Sequence, residues 1–92
     1  MADAAQLARL FSVLSVETRV RILMLLRERP LCVNALAHRL GISPAAVSQH
    51  LRVMRDAELV QAQKRGYFVH YRVNPETLAR WRALSLTLFD GE

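Results

Sequence analysis

The chain has 92 residues, 52% of them apolar, with one cysteine and a formal net charge of +5. That length holds one small core and leaves no room for a separate catalytic or ligand-binding domain, so residues 1–92 are expected to form a single domain. Apolar positions sit at short helical spacings and nowhere run for the roughly 20 residues that a membrane span needs. The opening residues up to Arg9 lack the apolar stretch of an export signal, so a cytoplasmic protein without membrane association is expected. A lone Cys32 excludes an internal disulfide framework.

Charge suggests an anionic partner but does not locate its site. Residues 1–42 carry six cations against three anions, and residues 43–74 carry five against two. The C-terminal stretch from Pro75 is slightly acidic, with Arg80 and Arg82 against Glu76, Asp90 and Glu92.

In chain order, Leu7, Leu10, Phe11 and Leu14 recur at spacings of three and four and predict an amphipathic first helix. Ser15 is placed as the N-cap of a second helix to about Glu28, with Glu17 near its positive end. Val20, Ile22, Leu23, Met24, Leu25 and Leu26 make this helix nearly apolar all round, so it is expected to be the most buried. Pro30 then stops it. A short helix from about Val33 to Leu40 faces Leu36, Ala37 and Leu40 inward, and Gly41 provides a left-handed C-cap.

Ser43 and Pro44 reopen the chain as N-cap and first helical residue. The helix that follows, about 44–57, places Val47, Leu51 and Met54 on one face and turns Ala45, Ser48, Gln49, Arg52 and Arg55 away from it. A short apolar helix, a glycine turn and a capped second helix make a helix-turn-helix.

After Glu58 the period becomes two. Leu59–Gln63 and Phe68–Val73 read as two strands of a wing over about 59–73, with Lys64, Arg65 and Gly66 at its turn. Tyr67, Phe68 and Tyr71 are expected to be sheet and interface packing rather than a base-stacking platform. A last helix from Pro75 keeps Leu78, Trp81, Leu84, Leu88 and Phe89 at helical spacing. The expected architecture is mainly α with a β-hairpin wing, four helices before the hairpin and one after it. The first and last helices carry more apolar surface than one small core absorbs. A homodimer formed through Leu7, Phe11, Leu14, Trp81, Leu84 and Leu88 is the expected use of it.

From about Leu10 to Val73 the sequence resembles the ArsR family of winged helix-turn-helix regulators. The resemblance is carried by Ser15–Leu23 (SVETRVRIL), Leu40–Ser43 (LGIS) and Val47–Val60 (VSQHLRVMRDAELV), together with the Tyr-Arg pair of the second wing strand. It implies a homodimer on a twofold-symmetric operator, pairing through the first and last helices and releasing DNA when an inducer binds. The family's arsenic motif looks like ELCVCDL, and here Pro30–Leu36 reads PLCVNAL, with Asn34 where the second thiolate belongs. Soft metals require two or three thiolates, so no working site of that kind is expected. The family's other metal site needs histidines in the last helix, which has none. His38, His50 and His70 fall on different elements without chelating spacing.

Within this frame Ser48 and Gln49 are placed to reach base edges, with Pro44 and Ala45 lining the major groove of double-stranded DNA. Arg52 and Arg55 are candidate phosphate ligands, and Lys64 and Arg65 at the wing tip are candidates for the flanking backbone or minor groove. His50, beside Val47 and Leu51, is expected to be a packed, hydrogen-bonded residue. Cys32 opens a short helix whose dipole favours a thiolate, so a thiol- or metal-responsive repressor using Cys32 stays open beside the reading of Cys32 as a small packed residue. A winged helix used only for protein docking is the other open alternative. Catalysis and cofactor binding are not expected, since no nucleophile, base and orienting group stand at usable spacing and no glycine-rich phosphate loop occurs. The sequence does not name an inducer.

Overall fold

A computed structural model describes residues 3–90, so the charge of Glu92 counted above lies outside the described residues. Five helices and three strands follow in the order α1 (Ala4–Val13), α2 (Glu17–Glu28), β1 (Leu31–Cys32), α3 (Val33–Leu40), α4 (Pro44–Asp56), β2 (Val60–Arg65), β3 (Phe68–Val73) and α5 (Pro75–Asp90). The expected helices and hairpin are all present, and β1 is an addition. Two residues long, it pairs Leu31 with Tyr71 and Cys32 with His70, which makes the wing a three-stranded antiparallel sheet of order β1-β3-β2.

Local chemistry fixes most of the ends. Asp3 caps α1, its Oδ1 accepting from the amides of Ala5 at 2.9 Å and Gln6 at 3.2 Å. Ser15 does not cap α2. Its hydroxyl donates to the Ser12 carbonyl at 2.8 Å, and Val16 takes the cap position without a side-chain bond. The backbone turn at the end of α1 holds Ser15 and removes it from competition for the α2 amides.

Gly41 ends α3 at φ 68°, a left-handed conformation that glycine adopts without a Cβ clash, and its amide and that of Ile42 both donate to Ala37. Ser43 Oγ then accepts from the Ala46 amide at 3.1 Å, and Pro44 enters as the first helical residue. Helix α4 ends in the same manner as α3 but on an unusual residue. Glu58 holds φ 61°, and Leu59 donates back to Met54.

The core gathers buried residues from α1, α2, β1, α3, α4 and the start of β2: Val13, Ile22, Leu26, Leu31, Leu36, Ala37, Val47, Leu51, Met54, Leu59 and Val60, with Tyr71 and Val73 of β3 packed partly against it. The second helix is less buried than its composition suggests. Only Ile22 and Leu26 are buried along it, Met24 is 59% exposed, and Val20 is also exposed. Helices α3 and α4 with β3 cover one side of α2, and the opposite side carries Arg21 and Glu17 as an exposed pair at 3.6 Å. Burial of an α-helix in so small a domain is one-sided, and Leu51 and Met54 of α4, at 1% and 0% exposure, occupy the centre instead.

Helices α1 and α5 pack together at the other end of the molecule. Leu7 and Leu10 are buried there, and the rings of Phe11 and Phe89 meet at 6.3 Å.

Candidate nucleic-acid interface

The three residues that lock α4 into the core are Val47, Leu51 and Met54. Because they recur at spacings of four and three, the opposite face is left to solvent. Pro44, Ala45, Ser48, Gln49, Arg52 and Arg55 are all exposed on it. Ser48 and Gln49 bring a hydroxyl and an amide one turn into a capped helix, and the two arginines follow. Among the described residues neither Arg52 nor Arg55 is in an ion pair, so each guanidinium keeps all its donors.

His50 turns inward as expected. Arg19 Nε donates to its Nδ1 at 3.3 Å, and the Nη1 of the same arginine donates to the Val13 carbonyl at 3.2 Å. One half-buried guanidinium thus ties the end of α1 to the middle of α4. Sequence spacing pointed to a hydrogen-bonded His50 but not to Arg19, which lies 31 residues away.

The wing is held in register from Val60 opposite Val73 to Arg65 opposite Phe68, and Arg72 Nε donates to Gln61 Oε1 at 3.2 Å across it. Lys64 and Arg65 sit at the end of β2 rather than in the turn, which is the two-residue loop Gly66-Tyr67. Gly66 takes φ 62° at its first position, the conformation such a loop requires there. Both cations are exposed and, among the described residues, outside any ion pair.

Of Tyr67, Phe68 and Tyr71, expected as sheet and interface packing, only Tyr71 packs within the chain, half-buried against the core. Tyr67 is fully exposed and Phe68 is 63% exposed. They lie beyond the reach of the core because the hairpin extends past the last residue that α2 and α3 can cover.

Of the residues expected to pair two copies, Leu7 is 5% exposed and already buried within its own chain, so it leaves little area for a partner. Leu14, Trp81 and Leu84 are half-buried, and Leu14 and Trp81 pack partly on the core. Phe11 and Leu88 remain exposed, along with Leu86 and Phe89, which composition had not separated from their neighbours.

Cys32 is a free, half-buried thiol at the N-cap of α3 and makes no capping bond. His70 lies opposite it in the ladder, and the His70 Nδ1 is buried without a partner. Among the described residues no three His, Cys, Asp or Glu side chains are grouped to hold a metal ion. One thiol beside Asn34 does not supply the donor set of a soft-metal site.

A capped helix-turn-helix followed by a basic hairpin defines a winged helix-turn-helix. Residues 17–62 match the family model described as bacterial regulatory protein, arsR family, and the chain belongs to that family. It is similar to the arsenical resistance operon repressor of Escherichia coli, 41% identical over 76 residues that cover 82% of this chain and 64% of the repressor. An ArsR-like transcriptional regulator from Rhodococcus superposes with a TM-score of 0.81 at 33% identity, covering 95% of this chain and 81% of that one. A homodimeric winged helix-turn-helix DNA-binding domain from Mycobacterium bovis, a possible ArsR-family regulator, gives a TM-score of 0.75 at 31% identity, covering 94% and 80%. The chain spans 52% of the arsenic resistance regulator of Pseudomonas putida and 64% of the E. coli repressor. Among the described residues no helix is long and apolar enough to cross a membrane.

Proposed function

We propose that the protein is a homodimeric DNA-binding transcriptional repressor, with residues 1–92 acting as one winged helix-turn-helix domain on a twofold-symmetric operator. The observation that carries this reading is α4, whose buried face is fixed by Val47, Leu51 and Met54 while Ser48, Gln49, Arg52 and Arg55 stand exposed and unengaged. Ser48 and Gln49 read base edges in the major groove, Gln49 pairing its donor and acceptor with adenine, and Pro44 and Ala45 allow close approach to the bases. Arg52 and Arg55 take phosphates, and Lys64 and Arg65 hold the flanking backbone. In the dimer the two α4 helices lie about 34 Å apart, one turn of DNA. Pairing uses Phe11, Leu88 and their neighbours on α1 and α5, where exposed apolar surface is concentrated. Occupied DNA then blocks polymerase.

The test is binding to the gene's own upstream DNA across a salt series, with Ser48→Ala, Gln49→Ala and Arg52→Ala alongside. Affinity is expected to fall by orders of magnitude between low and moderate salt, as phosphate-dominated binding does. Arg52→Ala is expected to reduce the salt slope by about 1, whereas Gln49→Ala relaxes sequence preference. Equal affinity for promoter and random duplex would overturn the reading and favour a docking module for another protein.

A further inference from the structure

The wing tip carries two aromatic rings that the fold does not use. Tyr67 is fully exposed in the turn and Phe68 is 63% exposed at the start of β3. Single exposed apolar residues are ordinary on any surface. These two are adjacent, and they share the hairpin end with Lys64 and Arg65.

The register sets how they are arranged. Side chains directly opposite in an antiparallel ladder lie on the same face, so Phe68 stands beside Arg65, with Gln63 and His70 two residues further in on that face. The other face holds Val60, Tyr71 and Val73, which pack toward the core. Phe68 therefore lies on the outer face of the sheet, away from the core. Tyr67 projects from a two-residue loop whose glycine makes the turn tight. The tip is narrow, apolar at its end and cationic at its base.

We propose that this tip is a minor-groove wedge, in which Lys64 and Arg65 grip the phosphates on either side while Tyr67 and Phe68 press between base pairs and kink the duplex. The proposal rests on the DNA-binding reading above and adds a second contact of a different chemical kind. Duplex DNA is the occupant that the charge favours, since two cations flank the rings and neither is neutralised within the described residues. A narrow β-hairpin fits a groove about 6 Å wide where a helix does not. Apolar side chains inserted at a base step partly unstack it and bend the helix toward the major groove, most readily at flexible pyrimidine–purine steps.

The experiment uses the full chain and a promoter fragment end-labelled for energy transfer, with a fluorescent base analogue placed at successive steps flanking the footprint. Wild-type protein is expected to shorten the end-to-end distance and to brighten the analogue at one step on each side. The paired substitution Tyr67→Ser and Phe68→Thr keeps residues suited to a turn and a strand. It is expected to abolish both signals and weaken binding about tenfold, the scale of one lost base-stacking contact. Both positions are exposed, so an unchanged thermal midpoint confirms that the variant is folded.

A folded double variant that bends and unstacks DNA as the wild type does overturns the wedge and leaves the repressor reading standing. Wild-type protein without preference for promoter DNA overturns both. A variant whose only change is its state of association without DNA assigns the tip to a second copy, and that also overturns the wedge.

Discussion

Glu58 occupies a backbone position meant for glycine, and replacing it is expected to stabilise the protein. At φ 61° it is the one non-glycine residue with positive φ among the described residues, and it closes α4 as Gly41 closes α3. A left-handed conformation costs a residue with a Cβ about 1–2 kcal/mol. Glycine removes that strain but loses about 0.5–1 kcal/mol more backbone entropy on folding. The carboxylate also sits at the negative end of α4, and its removal contributes a few tenths of a kcal/mol, about 0.3. Glu58→Gly is thus expected to gain about 1 kcal/mol, which raises the melting temperature by about 4–8 °C in a domain of this size. Glu58→Ala removes the charge without relieving φ and serves as the control. The assay is thermal unfolding followed by circular dichroism, at one protein concentration because dissociation of the proposed dimer would couple to unfolding. If Glu58→Gly melts no higher than Glu58→Ala, the strain argument is wrong.

Three further outcomes are expected. Leu51→Ala, on the buried face of α4, costs about 2–5 kcal/mol in denaturant titration, whereas Gln49→Ala two residues away on the exposed face leaves stability within about 0.5 kcal/mol. Arg19→Ala leaves the Val13 carbonyl and His50 Nδ1 without a donor and destabilises by about 1–3 kcal/mol. His50→Gln keeps an acceptor and is milder in the same titration. Arsenite leaves promoter binding unchanged in a mobility-shift assay, because Cys32 stands alone beside Asn34; release of DNA by arsenite would show that other donors complete a site.

The helix-turn-helix was legible because its signals are local. Gly41, Ser43 and Pro44 each act on their own backbone, and the inward spacing of Val47, Leu51 and Met54 needs no knowledge of what they meet. Where the outcome depended on distant residues, sequence was a weaker guide. Leu31 and Cys32 have no period of their own and become a strand because β3 returns beside them. Met24 and Val20 are as apolar as Leu26, and only the one-sided packing of α2 separates them. Ser15 had the chemistry of a cap but was already held by Ser12. The outward face of α4 was foreseen residue by residue. The exposure of Tyr67 and Phe68 within the chain was not, because alternation along a strand does not reveal where the covering helices end. The lone thiol was evident from composition, whereas the unpartnered His70 opposite it depends on strand register.

The pairing of β1 with β3 has a mechanical consequence. Leu31 and Cys32 lead directly into α3, and the strand they pair with is the return strand of the wing, so the hairpin and the helix-turn-helix are stitched together by backbone hydrogen bonds. Arg19 adds a rivet from the end of α1 to the middle of α4. On the proposed function, α4 and the wing are thus presented to DNA by one hydrogen-bonded unit. In the proposed dimer, paired through α1 and α5, the adjustable quantity would be the separation between two such units. A shift of a few ångströms there would put both units out of step with the pitch of DNA without altering either one.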